Sequence, residues 1–434
     1  MISSLAHRAL ERDGLGPIRD QVMDGKRISD ADALRLLEAA DLAAVGALAN
    51  HLRERRHGDL AFYNRNVHLN PTNVCVASCK FCSFARKEGE TASPGYTMTV
   101  EEAVEKVLSR RPLGITEVHM VAGLHPTLPW EYYTELLRRI RAAWPELTIK
   151  AFTAIEIHFW AEKYGKSYAQ VLAELREAGL DTMPGGGAEI FAPRVRRKIC
   201  DDKATADQWI EIHRTAHTLG IKTNSTMLYG HIERLDERVD HMRRLRELQD
   251  ETGGFQVFIP LAFHPEHNMI GKAFPKPTGY DALRTLAVSR LYLDNFDHVK
   301  AYWVSLGERL AQTSLAFGVD DLDGTVLEER IYHMAGSTVP QALSERMLHE
   351  LIRAAGRVPA ERDSHYRVLK VHGPLTPTLS PQSGEREDHI SLSSRRGDCG
   401  PLPASSTTPL SPRAAGGEGQ GEGGRAHMAG GRHG

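Results

Sequence analysis

Apolar residues recur along the chain in two alternating patterns. Short apolar runs rich in β-branched residues predict strands, and the longer segments between them carry apolar residues at helical spacing. The predicted strands are Asn66–Asn70, Glu117–Val121, Thr148–Thr153, Leu180–Met183, Lys222–Met227, Phe255–Leu261, Val299–Val304 and Leu315–Gly318. The predicted helices between them are Val100–Arg110, Trp130–Ala143, Tyr168–Ala178, Ala204–Leu219, Leu235–Glu251 and Asp281–Asp294.

This alternation of strands and helices predicts an α/β protein with a parallel sheet. Eight repeats favour a closed (β/α)8 barrel of the TIM type, which we assign to residues 61–371. A doubly wound open sheet is the alternative, but it usually carries a glycine-rich fingerprint after its first strand, where this chain has cysteines. In a barrel the chemistry lies at the carboxyl ends of the strands, so the candidate residues are sought there.

The two ends of the chain differ from the barrel segment. Residues 1–60 are predicted to form an N-terminal helical extension, with Ser29 as a helix N-cap. Residues 372–434 are rich in Gly, Pro and Ser and contain no aromatic residue other than histidine. Such a segment buries too little apolar surface to offset its chain entropy, so we predict a disordered, non-essential tail.

Charge and hydropathy exclude several classes of protein. The 54 basic and 56 acidic residues give a net charge of −2, which argues against a nucleic-acid-binding protein. The mean hydropathy of −0.37 and the lack of a long apolar run argue against a membrane protein. The N-terminus lacks the apolar core of a secretory signal, and five cysteines do not form a disulfide scaffold. We therefore expect a cytoplasmic protein with no nucleic-acid or membrane partner.

Three cysteines follow the first predicted strand of the barrel. Cys75, Cys79 and Cys82 have the spacing Cys-x3-Cys-x2-Cys, and clustered thiols in a reduced compartment are usually metal ligands. Structural zinc usually needs four protein ligands, but Cys200 and Cys399 stand alone. Three thiolates suit a cubane iron–sulfur cluster with one iron free of protein ligands. A structural zinc site, or a cluster that only carries or senses electrons, are the alternatives.

The motif Cys-x3-Cys-x-Phe-Cys resembles the signature of the radical S-adenosylmethionine (SAM) superfamily. The resemblance implies that Cys75, Cys79 and Cys82 hold a [4Fe-4S] cluster whose fourth iron chelates SAM. One electron then breaks the sulfonium bond and gives a 5′-deoxyadenosyl radical. It also implies that Phe81 packs near the adenine and that a reduced flavodoxin or ferredoxin supplies the electron.

Four further stretches are similar to the branch of this superfamily that contains the menaquinone enzymes of the futalosine route and the coenzyme F420 synthases. They are residues 150–158, 184–190, 226–231 and 258–264. Within that branch, residues 70–75, 300–303 and 321–326 resemble the aminodeoxyfutalosine synthases.

The family reaction that this resemblance implies consumes SAM as a substrate. The adenosyl radical adds to the vinyl carbon of 3-[(1-carboxyvinyl)oxy]benzoate, and rearrangement with loss of a carboxylate gives 6-amino-6-deoxyfutalosine, methionine and bicarbonate. Two sibling activities are alternatives, those of cyclic dehypoxanthine futalosine synthase and of an F420-precursor synthase. Both siblings release 5′-deoxyadenosine.

Residues at other strand ends are candidates for binding SAM. Ala122 and Gly123 follow the second strand, where the superfamily often has Gly-Gly-Glu, so their backbone would have to replace the missing Glu. Gly185, Gly186 and Gly187 follow the fourth strand and allow the backbone to approach a ligand closely. Glu189, just after them, is a candidate for the SAM ammonium or a ribose hydroxyl.

Ionisable residues at the strand ends are the catalytic candidates. Glu156 and His158 are predicted to end the third strand on opposite faces. Arg86 and Arg197 are candidate carboxylate clamps, because guanidinium binds carboxylate with two hydrogen bonds. The full catalytic prediction is Glu189, His158, His231 and Arg86. Asn224, Tyr229 and His264 lie at the ends of the fifth and sixth strands as further candidates.

Overall fold

A computed structural model describes residues 2–373. The helices are α1 (Ser4–Arg12), α2 (Gly16–Met23), α3 (Asp30–Glu38), α4 (Leu42–His57), α5 (Val100–Leu108), α6 (Trp130–Ala143), α7 (Ala154–Tyr164), α8 (Tyr168–Ala178), α9 (Pro193–Ile199), α10 (Ala206–Thr218), α11 (Leu235–Thr252), α12 (Gly279–Tyr292), α13 (Trp303–Leu306), α14 (Glu308–Ser314), α15 (Ile331–Met334) and α16 (Glu345–Ala354). The predicted tail lies outside the described residues, except for His372 and Gly373. His372 is held through its backbone N–H, which donates to the carbonyl of Pro359 at 2.8 Å.

The strands form two sheets. They are β1 (Leu60–Asn64), β2 (Asn66–Leu69), β3 (Glu117–Met120), β4 (Thr148–Ala151), β5 (Thr182–Met183), β6 (Lys222–Tyr229), β7 (Phe255–Ala262), β8 (His298–Val299), β9 (Asp321–Gly324), β10 (Val358–Arg362) and β11 (Val368–Val371). Strands β2 to β8 form a parallel sheet in chain order, and the second sheet has the order β11-β10-β1-β9.

Strand β9 joins the two edges of the seven-stranded sheet. Next to β8, the backbone N–H of Ala301 donates to the carbonyl of Asp321 at 2.9 Å. Next to β2, the N–H of His68 donates to the carbonyl of Leu327 at 2.8 Å. Strand β9 and the residues that follow it as far as Leu327 therefore occupy the eighth position, and the predicted barrel is confirmed.

The eighth strand itself was predicted at the wrong place. Leu315 ends α14, and Gly318 lies in a turn with φ of +93°. The strand begins at Asp321, where the acidic residues Asp320, Asp321 and Asp323 are all buried. Aspartate is rare in strands, and this composition hid the strand from the sequence pattern.

Helices also cover the N-terminal sixty residues, as predicted. Ser29 caps α3, and the side chain of Asp32 accepts from the N–H of Ser29 in return. Arg27 pairs with Asp250 at the end of α11, which ties this layer to the barrel. Within residues 2–373, no helix is long and apolar enough to cross a membrane.

The third strand is shorter than predicted. It ends at Ala151, and Thr153 then caps helix α7 together with Glu156. Glu156 and His158 therefore lie on the first turns of a helix, and their predicted placement on a strand was wrong. The capping box Thr-x-x-Glu is the sequence signal for this helix start.

Candidate active site

A cavity of about 340 Å³ opens at the carboxyl ends of the barrel strands. Residues from β2 to β9 or from the loops that follow them contribute to its lining. Cys75, Cys79 and Cys82 line it, and none of the three is in a disulfide. The three cysteines singled out by their spacing therefore lie in the wall of one cavity at this end of the barrel.

Two cations fix the backbone of the cysteine loop. The ammonium of Lys87 donates to the carbonyls of Val76 at 2.7 Å and Ala77 at 2.8 Å. The guanidinium of Arg86 donates to the carbonyls of Ser83 and Ala85, each at 2.9 Å. These bonds hold the loop in a shape that presents its three side chains to the cavity.

The donor set fits an iron–sulfur cluster better than a single zinc ion. The three sulfur atoms do not all lie within 4.8 Å of one another. Thiolates on one zinc ion lie about 4 Å apart, because each Zn–S bond is about 2.3 Å. Burial raises the pKa of the Cys79 thiol to about 12, so binding of iron must displace its proton. The backbone N–H of Ala85 donates to Sγ of Cys82 at 3.4 Å, a contact that stabilises a thiolate.

The loop after β3 lies directly against the cysteine loop. A Cβ on Gly123 would be 2.2 Å from the carbonyl oxygen of Val74, so only glycine fits there. The N–H of Ala122 donates to Glu156 Oε1 at 2.9 Å. Burial raises the pKa of Glu156 to about 7. Glu156, from the first turn of α7, therefore places a carboxyl group beside the Ala122–Gly123 backbone, where the sequence itself has no acidic residue.

The glycine loop after β5 forms another part of the lining. Gly187 has φ of +85°, and a Cβ on Gly185 would be 2.6 Å from Cα of Ser225. Both glycines therefore let the chain approach its neighbours closely. Glu189 ends this loop and forms an ion pair with Lys203.

Lys203 connects the glycine loop to the cysteine loop. Its ammonium lies 5.2 Å from the centre of the Phe81 ring. Coulombic attraction from Cys79 and Glu189 outweighs burial and raises the pKa of Lys203. Lys203 is a site residue that the sequence analysis missed, because it lies between helices and outside any motif.

Most of the predicted site residues meet in this cavity. The lining includes Cys75, Cys79, Phe81, Cys82, Ala122, Gly123, Gly185, Gly186, Gly187 and Glu189. Asn224 and His264 also line it, whereas Tyr229 is buried beneath Arg238.

Three predicted catalytic residues lie outside the cavity lining. His158 bonds through Nδ1 to the hydroxyl of Tyr168 at 2.9 Å. His231 is buried, and both of its ring nitrogens bond to nearby backbone atoms of Leu228 and Ile232. Arg86 is occupied by the loop carbonyls, and Arg197 is exposed. In the described structure, the polar groups of His158, His231 and Arg86 are thus bonded to neighbouring protein atoms.

The cavity also contains rings that sequence reasoning did not find. His68 and His119 occupy paired positions on β2 and β3, and their ring centres are 4.6 Å apart. Tyr302 and Tyr332 line the same cavity. The sequence does contain a pattern that could have identified the two histidines. Strands β2 (Asn66-Val-His-Leu) and β3 (Glu117-Val-His-Met) each have a histidine one residue before the strand ends.

Comparisons with known proteins agree with this arrangement. Residues 69–245 match the Radical SAM superfamily, and residues 252–374 match the CofH/MqnC C-terminal region. The chain is 52% identical to the aminodeoxyfutalosine synthase of Thermus thermophilus over 84% of this chain and 98% of that one. It is 47% identical to the aminodeoxyfutalosine synthase of Streptomyces coelicolor over 81% and 93% of the two chains.

A sibling enzyme and a solved structure are less similar. The cyclic dehypoxanthine futalosine synthase of Streptomyces coelicolor is 36% identical over 89% of this chain and 96% of its own. The FeFe-hydrogenase maturase HydG from Carboxydothermus hydrogenoformans superposes with a TM-score of 0.65 at 17% identity. That superposition covers 84% of this chain and 85% of the maturase, and it supports the fold alone.

Proposed function

The chain belongs to the radical SAM superfamily, in the group of the aminodeoxyfutalosine synthases, and we propose on this basis that it joins the adenosyl part of SAM to 3-[(1-carboxyvinyl)oxy]benzoate. The products are 6-amino-6-deoxyfutalosine, methionine and bicarbonate. It is an enzyme of the futalosine route to menaquinone, and it uses a [4Fe-4S] cluster and SAM.

The cavity residues divide into groups with distinct tasks. Cys75, Cys79 and Cys82 hold the cluster, which supplies the single electron that breaks the sulfonium bond of SAM. In this proposal the backbone at Ala122 and the carboxylate of Glu189, both in the cavity lining, bind the polar parts of SAM.

Apolar side chains in the lining suit radical intermediates, which must be kept from water. Leu228, Ile259, Leu261 and Phe263 present apolar side chains to the cavity. Its volume of about 340 Å³ lies within the usual range for small-molecule sites.

The identity to the two aminodeoxyfutalosine synthases is the observation that carries the choice of reaction. It exceeds the identity to the sibling that cyclises its substrate by more than ten percentage points. The cysteine loop alone does not discriminate, because every member of the superfamily has one.

We also propose that the electron comes from a reduced flavodoxin or ferredoxin. Lys87 is exposed on the cysteine loop, and Val76 beside it is 44% exposed. A cation and an apolar side chain next to the cluster ligands suit an acidic electron-transfer protein.

An anaerobic assay tests the reaction. The protein is reconstituted with iron and sulfide and given SAM, dithionite and 3-[(1-carboxyvinyl)oxy]benzoate, and the products are read by mass spectrometry. We expect a species with the mass of the adenosyl group plus the substrate less carbon dioxide. Free 5′-deoxyadenosine without this species would instead support one of the sibling reactions.

A further inference from the structure

Five aromatic rings form a continuous row along one side of the cavity. The ring centres of His119 and His68 are 4.6 Å apart, and Tyr302 lies 6.5 Å from His68 in a parallel orientation. Tyr332 is 5.6 Å from Tyr302, and His264 is 5.1 Å from Tyr332. We call this set the ring row. Its members come from β2, β3 and the segments after β7, β8 and β9, and all five line the cavity.

The ring row contains polar atoms without partners. His68 is 8% exposed, and its Nε2 has no hydrogen-bond partner among residues 2–373. Nδ1 of His264 is also unpartnered in this part of the chain, and its Nε2 bonds to the carbonyl of Ser305 at 2.8 Å. A buried polar atom without a partner is destabilising, so a polar ligand at this wall would offset that loss.

Two lysines near the His68 end of the ring row are each neutralised by a carboxylate. Lys150 bonds to Glu117 at 2.6 Å, and Lys300 bonds to Asp323 at 3.1 Å. Lys203, on the opposite side of the cavity, is paired with Glu189. At the His68 end of the ring row, an anionic ligand would therefore meet imidazole, because the neighbouring ammonium groups are already paired.

His68 is placed to take up a proton when an anion arrives. Burial is the main cause that lowers its pKa, and Lys150 acts in the same direction. Glu329, Asp323 and Glu117 act in the opposite direction. His119, stacked on His68, has a pKa far below its usual value and stays neutral. A carboxylate beside His68 would add to the acidic groups and favour the charged imidazole.

We propose that His68 binds the ring carboxylate of the aromatic substrate as an imidazolium, with the substrate ring lying against Tyr302 and Tyr332. The inference rests on the proposed function, which supplies a substrate with one aromatic ring and two carboxylates. The vinyl carboxylate leaves as carbon dioxide, and a cation that held it would oppose its loss. The ring carboxylate persists in the product, so it is the one suited to a permanent charged partner.

Calorimetric titration of the SAM-loaded holoenzyme without reductant tests this inference, because no turnover occurs. The titrants are the substrate and an analogue whose ring carboxylate is replaced by a carboxamide. We expect His68→Gln to bind the substrate about 30-fold more weakly than the wild type does. Its affinity for the analogue should stay within twofold of the wild-type affinity for the analogue. In two buffers of different ionisation enthalpy at pH 8, the wild type should take up close to one proton per substrate bound, and His68→Gln should take up none.

Matched variants separate recognition from folding. His51→Gln changes a histidine on α4, outside the cavity lining, and should bind both titrants like the wild type. The inference would be overturned if His68→Gln bound the substrate and the analogue more weakly by the same factor, or if its affinity for the substrate were unchanged. His68→Asn is a second variant at the same position, for use if His68→Gln does not fold. Independently of any variant, an absence of proton uptake when the wild type binds the substrate would overturn the inference. If the wild type binds no substrate, the proposed function itself fails.

Discussion

Glu156 accepts a hydrogen bond from the backbone N–H of Ala122 at 2.9 Å, so the first turn of α7 fixes the loop that follows β3. The other carboxylate oxygen accepts from the N–H of Thr153 at 2.6 Å and from its hydroxyl at 2.8 Å. One buried side chain thus closes a helix cap and holds a second loop of the cavity. The geometry of the cavity near Ala122 depends on this carboxyl group.

The buried carboxyl of Glu156 should make stability depend on pH. Its pKa rises from the usual 4.5 to about 7 in the folded chain, mainly through burial. A carboxyl with a raised pKa stabilises the fold most below about pH 4.5, and this contribution is lost as the pH rises through 7. Relative to Glu156→Gln, which cannot titrate, the wild type should lose roughly 3 kcal/mol of unfolding free energy across this range.

Urea unfolding at pH 5.5 and pH 8 should capture about 2 kcal/mol of this loss, because the rest has already occurred by pH 5.5. Glu162→Gln on the same helix is the control, because Glu162 is exposed and its substitution should give the same difference at both pH values. If the difference in unfolding free energy between the wild type and Glu156→Gln does not change with pH, the carboxyl of Glu156 is ionised throughout this range or water reaches it.

The sequence pattern predicted the barrel well because its strands and helices are apolar on regular periods. It failed for β9, where buried aspartates replace the apolar run, and for the two-residue strands β5 and β8, which it predicted as longer. It also missed β1, β10 and β11, which form the second sheet. These strands lie outside the regular strand–helix alternation, and the neighbours of β1 lie about 260 and 300 residues further along the chain.

In the candidate active site, sequence motifs identified the cysteine loop and the glycine loop but not the cavity residues that come from other parts of the chain. The cysteine spacing and the glycine run are local signals, and the residues that carry them line the cavity. His68, Lys203 and Tyr332 reach it only through the closure of the barrel, which no short motif encodes. His231 was chosen for its position after a strand, but the backbone occupies both of its ring nitrogens.

Gly123 should tolerate no side chain. A Cβ there would lie 2.2 Å from a backbone oxygen of the cysteine loop, which cannot move without shifting Cys75. We expect Gly123→Ala to lower the unfolding free energy by about 1–3 kcal/mol and to reduce the iron retained after reconstitution. Gly279→Ala is the matched control, since its Cβ would make an ordinary 3.5 Å contact with Leu310. Equal iron content and stability in the two variants would contradict this account.

His158 should not take part in catalysis. Its ring lies outside the cavity lining and bonds to the hydroxyl of Tyr168 at 2.9 Å. His158→Asn should keep kcat/KM within twofold of the wild type, with a stability loss of about 1 kcal/mol for the hydrogen bond. A fall in kcat/KM of tenfold or more, with unchanged thermal stability, would restore the role predicted from the sequence. Thermal unfolding and steady-state kinetics on one preparation decide between the two outcomes.

Cys79 and Cys200 provide a direct comparison of two buried thiols in one region. Both are free, and burial raises the pKa of each, but only Cys79 lines the cavity with the other two ligands. We expect Cys79→Ala to lose most of its iron and inorganic sulfide and to fall at least 100-fold in SAM cleavage, since two thiolates cannot hold a cubane cluster. Cys200→Ala should keep its full iron and sulfide content, because it removes a small buried side chain and no ligand. Because zinc brings no sulfide, a wild-type protein with one zinc ion and no sulfide after aerobic and anaerobic purification would contradict the cluster assignment.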